Sequence, residues 1–217
     1  MLIACEESQT VCIAFRKRGH EAYSCDILPC SGGYPEWHIK DDIRYVLYRG
    51  KWDLVIAHPV CTRLTNSGVC WLDKRNLWGE LEEACKFFNL FTEYGKRGNR
   101  IGIENPIPHK YAVAKIGKYD QIIQPWMFGH MERKATCLWL FNLPKLIPTN
   151  IVKDEMLKLP KAQQQRIHYC SPSPDRAKLR SKTFPGIAAA MAEQWNFQPQ
   201  PIKPCKEKQF FKKQGVK

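Results

Sequence analysis

Six residues, WDLVIA at positions 52–57, constrain the fold more than any other stretch. They are aromatic, β-branched or aliphatic at all but one position, and too few for a buried helix. His58-Pro59 stops them, because proline cannot continue a central strand. A short apolar run of this kind suits a strand covered on both faces, as in a mostly parallel sheet between layers of helices. Cys61 follows on the loop leaving the strand's carboxyl end, the edge at which open α/β sheets bind ligands. There the loop exposes a sulfur that the strand holds in place, which makes Cys61 a candidate nucleophile. The alternative is a half-buried structural thiol.

The remaining pattern repeats this arrangement. Leu2–Cys5 reads as a first strand, and Thr10–Arg18 as a helix with Val11, Ala14 and Phe15 on one face and Gly19 beyond its end. Glu21–Cys25 reads as a second strand ending at Asp26, where Rossmann-like folds place an acid that accepts ribose hydroxyls. A third strand is expected at Trp37–Ile39. Asp41 and Asp42 then open a helix carrying Ile43, Val46 and Leu47. Helix capping and reception of an adenine amino group are both open for these two aspartates. A long helix is expected over 73–94, and a strand at Arg100–Ile103 delivers Glu104-Asn105-Pro106 to the same edge as Cys61. Asp120–Gln124 and Thr136–Phe141 read as strands, and 144–172 as a loop with one short helix. Thr183 is expected to cap a final helix at Pro185–Trp195. No repeat or second core is visible, so the reading is one α/β domain over 1–200 and a basic tail over 201–217.

Charge points to a partner. Lys plus Arg number 34 against 21 Asp plus Glu in 217 residues, a net charge of +13. That excess favours a polyanion, most simply nucleic acid, over a merely solubilising surface. Six lysines and one glutamate lie in Lys203–Lys217, a segment suited to non-specific attraction. No apolar run approaches ~18 residues, so no membrane span is expected. The N-terminus MLIACEESQTV meets acids too early for a signal peptide, which places the protein in the cytoplasm. The ten cysteines are scattered without a CxxC pair and read as reduced thiols. His168, Cys170 and Cys205 lack the paired spacing of structural zinc, so no metal is expected.

A pyrimidine ring would use what gathers at this edge. Addition of a thiolate to carbon 6 turns carbon 5 into a nucleophile toward a methyl donor. The reaction needs the thiolate, a carboxyl group at N3, a cation at O2 and a bound sulfonium cofactor. Cys61, Glu104, Arg133 and the Rossmann-like rim supply them, with Glu104 needing a raised pKa to donate a proton. For Arg133 a surface ion pair or a phosphate contact is the alternative, and Lys134 is the nearest substitute.

In these stretches the sequence resembles the cytosine-5 DNA methyltransferases, particularly short phage and prophage members. HPVCTRLTNSG is similar to their nucleophile loop, IENPIP to their Glu-Asn motif, GHMERKATCLWL to their arginine-bearing strand and SKTFPGIAAAMAEQW to their closing motif. SCDILP and Lys40–Asp42 resemble the second and third cofactor motifs. The resemblance implies a Rossmann-like fold binding S-adenosyl-L-methionine, with DNA as partner. It assigns Cys61 as nucleophile, Glu104 as N3 partner and Arg133 as O2 donor. The implied cofactor contacts are Glu6, Ser8, Gln9, Thr10, Asp26, Ile27, Asp42, His58, Pro59, Thr183 and Phe184. Asn66, Ser67, Asn105 and Lys134 are the implied substrate contacts. Cap and core packing remain open for Thr183 and Phe184, and loop positioning for Asn66 and Ser67.

Three departures stand out. CEESQTV replaces a glycine-rich first loop, HPV precedes Cys61 where two prolines are usual, and about 40 residues separate the Arg133 strand from the closing motif, where a large target recognition domain usually sits. The last predicts a short or relaxed sequence preference, with base flipping if the substrate is duplex. It also leaves open an enzyme acting on free pyrimidine nucleotides, and the glycine-poor first loop leaves open a degenerate methyltransferase fold that only binds nucleic acid or a partner.

Overall fold

The structure is a computed structural model and describes residues 1–173 and 176–196, so the Lys203–Lys217 tail lies outside the described residues. The strands are β1 (Leu2–Ala4), β2 (Tyr23–Asp26), β3 (His38–Lys40), β4 (Val55–Ala57), β5 (Ile101–Pro106), β6 (Gln121–Ile123) and β7 (Thr136–Phe141). They form one sheet in the order β3-β2-β1-β4-β5-β7-β6. Neighbours from β3 to β5 run parallel, and β7 is antiparallel to both β5 and β6. The helices in chain order are α1 (Thr10–Arg16), α2 (Ile43–Arg49), α3 (Asn66–Val69), α4 (Trp71–Lys74), α5 (Trp78–Lys96), α6 (Lys110–Ile116), α7 (Lys153–Leu157), α8 (Lys161–Gln164), α9 (Arg176–Ser181) and α10 (Pro185–Gln194).

Side chains alternate along each strand, so each strand feeds two cores. Leu2, Ala4, Val55, Ala57, Ile101 and Ile103 meet α2, α5 and α6 on one face. Ile3 and Ile56 meet Val11 and Phe15 of α1 and Ile187 and Met191 of α10 on the other. The expected mostly parallel sheet with helices on both faces is therefore the observed one. Among the described residues, no helix is long and apolar enough to cross a membrane.

Several boundaries differ from expectation, each for a local reason. β4 is only Val55–Ala57, because β1 begins at Leu2, paired with Val55, and offers residues 52–54 no ladder. Trp52 donates its indole N–H to the Val46 carbonyl at 3.3 Å instead. β5 runs on to Pro106, because beyond Ile103 only β7 flanks it, the one-sided position a proline tolerates. The expected helix over 73–94 is broken at Asn76, held at φ 50°, so α5 starts at Trp78 and α4 is separate. The loop over 144–172 carries two short helices, α7 and α8, and the basic stretch after it is itself helical, α9. Phe184, not Thr183, occupies the N-cap of α10, and no side chain caps that helix.

Candidate active site

Parallel pairing sets the site. Ala57 lies beside Ile103, so His58-Pro59, leaving the end of β4, run beside Glu104-Asn105, which continue β5 against β7. Two hydrogen bonds join them. His58 Nδ1 and Glu104 Oε2 are 2.7 Å apart, with both side chains only 12% exposed. Asn105 Nδ2 donates to the Pro59 carbonyl at 3.0 Å, and the residue is 1% exposed.

The loop beyond is braced further down. The His109 ring stands 2.9 Å from the Arg63 carbonyl, and its backbone N–H donates to the Leu64 carbonyl, also at 2.9 Å. Thr65 bridges to Pro108. Cys61 is thus carried on a short loop tied to β5 at both ends, half-buried, with its thiol free. We expect Asn105→Ala to leave the Pro59 carbonyl without its donor and to lower stability by about 1–3 kcal/mol. Urea unfolding measures that loss.

The electrostatics differ from expectation at Glu104. Burial acts to raise its pKa, but the hydrogen bond and charge of His58, then Lys134 and Thr136, outweigh burial and hold it below the ordinary value. A raised pKa was anticipated, because the sequence does not show a histidine bonded to this acid. His58 is the converse. Burial opposes its charge, yet Glu104 and then Glu6 lift its pKa above the ordinary 6.5. Each partner therefore favours the charged form of the other. The Cys61 thiol is pushed up by burial and then by Glu104, with Lys134 and Arg180 pulling the other way. Glu104 therefore lies close enough to act on the sulfur.

The cation that faces this cluster is Lys134. Its charge acts on His58, Glu104 and Cys61. Its Nζ donates to the carbonyls of Arg180 (2.8 Å) and Lys182 (3.3 Å) and lies 5.8 Å from the Phe184 ring centroid. Arg133 is exposed, and its backbone N–H donates to the Gln164 carbonyl at 2.7 Å. The two residues are adjacent on the loop entering β7, so a one-residue difference in where the chain turns decides which side chain looks inward.

The expected cofactor residues divide. Asp26 ends β2 and accepts from the Leu28 N–H at 2.9 Å, with Ile27 beside it 68% exposed. Cys5 (φ 59°) and Gln9 (φ 58°) are left-handed, so the glycine-poor first loop makes turns that glycine ordinarily makes. Gln9 is buried, its amide paired both ways with the Tyr34 backbone at 2.7 and 3.1 Å. Gly32 fits against this loop because a Cβ there would meet the Gln9 side chain at 2.5 Å. Ser8 and Thr10 bond each other at 3.2 Å. The Glu6 carboxylate accepts from the Val11 and Cys12 N–H groups at 2.6 and 3.2 Å, capping α1. Asp42 caps α2 through the Arg44 N–H at 2.9 Å and pairs with the Arg44 guanidinium, so capping is its observed role. Asn66 and Ser67 lie exposed on α3, just after Cys61.

Glu7 escaped the sequence reading. On the same loop, its Oε1 is buried without a hydrogen-bond partner among the described residues. An orphaned carboxylate oxygen there, an acid at the end of β2 and the exposed Ile27 face fit the ammonium, ribose and adenine parts of S-adenosyl-L-methionine. His109 was missed as well, because α6, which it caps, gave no periodic signal in so short a run.

Burying Glu6 has a pH signature. Desolvation raises its pKa to about 7, with His58 and the two backbone N–H groups opposing. The cost of its charge therefore grows as pH rises from its ordinary 4.5 to about 7, reaching on the order of 3 kcal/mol. His58 contributes stability that is full below its ordinary 6.5 and lost as pH rises through its raised value. Both act in one direction. Calorimetry should show Tm falling from about pH 5 to about pH 8, and Glu6→Gln should flatten that fall.

No protein-family model matches the chain, and no curated protein matches it. Among solved structures, one similar to it is a candidate DNA modification methyltransferase encoded within a prophage of E. coli, at 14% identity and a TM-score of 0.41. The match covers 74% of this chain and 55% of the other, so the chain spans about half of that structure's length. So loose an overlap carries no functional argument.

Proposed function

We propose that the chain transfers a methyl group from S-adenosyl-L-methionine to carbon 5 of cytosine in DNA, through a covalent Cys61 adduct. The observation that carries this reading is the joined rim of β4 and β5, where the His58–Glu104 and Asn105–Pro59 hydrogen bonds tie the segment leading to Cys61 to the strand that bears Glu104. Bound at the β1 and β2 ends, S-adenosyl-L-methionine supplies an electrophilic methyl group. Asp26 and Ile27 would hold its nucleoside end and Glu7 its ammonium.

Cys61 adds to carbon 6 of the base. Lys134 and Arg180 favour its thiolate, and Glu104 holds the N3 edge. Lys134 takes the O2 role first given to Arg133, whose exposed side chain suits a phosphate. Asn66 and Ser67 border the base on α3. In this reading one domain over 1–200 acts in the cytoplasm, the net charge of +13 attracts DNA, and the tail adds sequence-independent affinity.

The test is incubation with methyl-labelled cofactor and DNA, followed by nucleoside analysis. Label in 5-methylcytosine supports the reading. Label in N4-methylcytosine or N6-methyladenine overturns it, and label on free nucleotides alone would move the substrate to the nucleotide pool.

A further inference from the structure

The resemblance gives His58 as a cofactor contact. Its Nδ1 lies 2.7 Å from Glu104 Oε2, and its Nε2 is buried with no hydrogen-bond partner among the described residues. Three charged groups face the ring: Glu104 from β5, Glu6 from the loop between β1 and α1, and Lys134 from the loop entering β7. An ionised carboxylate only accepts, so Nδ1 carries the hydrogen. A base whose N3 must be protonated as sulfur adds to carbon 6 thus meets an acid held below its ordinary pKa, with a ring N–H one hydrogen bond behind it.

We propose that His58 is a positioning residue that stores the proton Glu104 delivers to N3 of the target cytosine. The inference rests on the cytosine-5 reading above. As the Cys61 sulfur bonds to carbon 6, the C5=C6 pair moves between carbons 4 and 5, and the C4=N3 pair moves onto N3. N3 takes a proton from the Glu104 carboxyl, which takes one from His58 Nδ1. Imidazolium, carboxylate and thiolate become neutral imidazole, carboxylate and thioether, so net charge in the pocket is unchanged. After methyl transfer, carbon 5 loses its proton to water as the sulfur–carbon 6 bond breaks, and the N3 proton returns through Glu104 to His58. Glu6 keeps the imidazolium favoured between turnovers, and Lys134 keeps Glu104 from holding the proton itself.

The experiment uses the full chain and its His58→Gln, His58→Asn and Glu104→Gln variants. Methylation is followed across pH, with the His58 ring titrated by nitrogen NMR. Because the pair titrates as a unit, wild-type kcat should fall on the alkaline side as the ring loses its proton. In H58Q that limb should move to lower pH and kcat at about pH 8 should drop about tenfold, with KM for DNA within about twofold. The ring should titrate above 6.5 in wild type and lower in E104Q.

An alkaline limb identical in wild type and H58Q, or a wild-type ring titrating at or below 6.5, overturns the proton store while leaving cytosine methylation standing. Absence of 5-methylcytosine from the wild-type reaction overturns the underlying reading and the store together. If neither His58 variant folds, the ring titration in wild type and E104Q decides.

Discussion

Cys61→Ser should lower methyl transfer by on the order of 10³-fold or more and leave DNA affinity within about twofold. A serine hydroxyl fills the same space on the same braced loop, so the DNA still docks. What it lacks is an accessible anion. The Cys61 thiol is itself pushed up by burial and by Glu104, while a backbone hydrogen bond and the nearby Lys134 and Arg180 ease its ionisation. A hydroxyl, far less acidic, gains nothing comparable from those cations. Methylation rate and DNA titration on the same preparation measure the two halves of the expectation. Full turnover in the variant would remove Cys61 from the chemistry.

Glu104→Gln should slow methyl transfer by about 10²- to 10⁴-fold, the range for losing a positioned acid–base group. The same substitution should make Cys61 more reactive toward a small alkylating agent, because it removes the negative charge that holds the thiol up. Slower methylation with faster alkylation is a paired result that general unfolding does not produce selectively, since a disordered loop would also lose DNA binding. If alkylation slows too, the carboxylate is not acting on the sulfur.

The sheet was legible because its strands announce themselves as short apolar runs ended by polar or proline residues. WDLVIA-HP and IGIENP fixed two neighbouring strand ends, and the rim between them followed. Where sequence reading went astray, the deciding contacts are long-range. Nothing local tells that His58 bonds Glu104, 46 residues away, and so the carboxyl's pKa goes down where burial alone would raise it. Nothing local tells Lys134 from Arg133, because orientation on an irregular loop is set by what the loop packs against, here the carbonyls at the end of α9. Asp42 and Glu6 look like ligand-binding acids in a linear motif, and the motif alone does not show that each also accepts backbone N–H groups in the first turn of a helix. The glycine-poor first loop shows the reverse: Cys5 and Gln9 adopt left-handed backbone that composition argued against. Tertiary contact, the Gln9–Tyr34 pairing among them, over-determines that conformation.

The most direct measurement offers the protein S-adenosyl-L-methionine and DNA in which every cytosine is 5-fluorocytosine. Carbon 5 then accepts the methyl group but cannot lose fluorine as a cation, so a sulfur–carbon 6 bond, once made, stays. A denaturation-resistant protein–DNA complex with wild type, carrying one methyl group and absent with Cys61→Ser, is the predicted result. No such complex from wild-type protein that methylates ordinary DNA would contradict it.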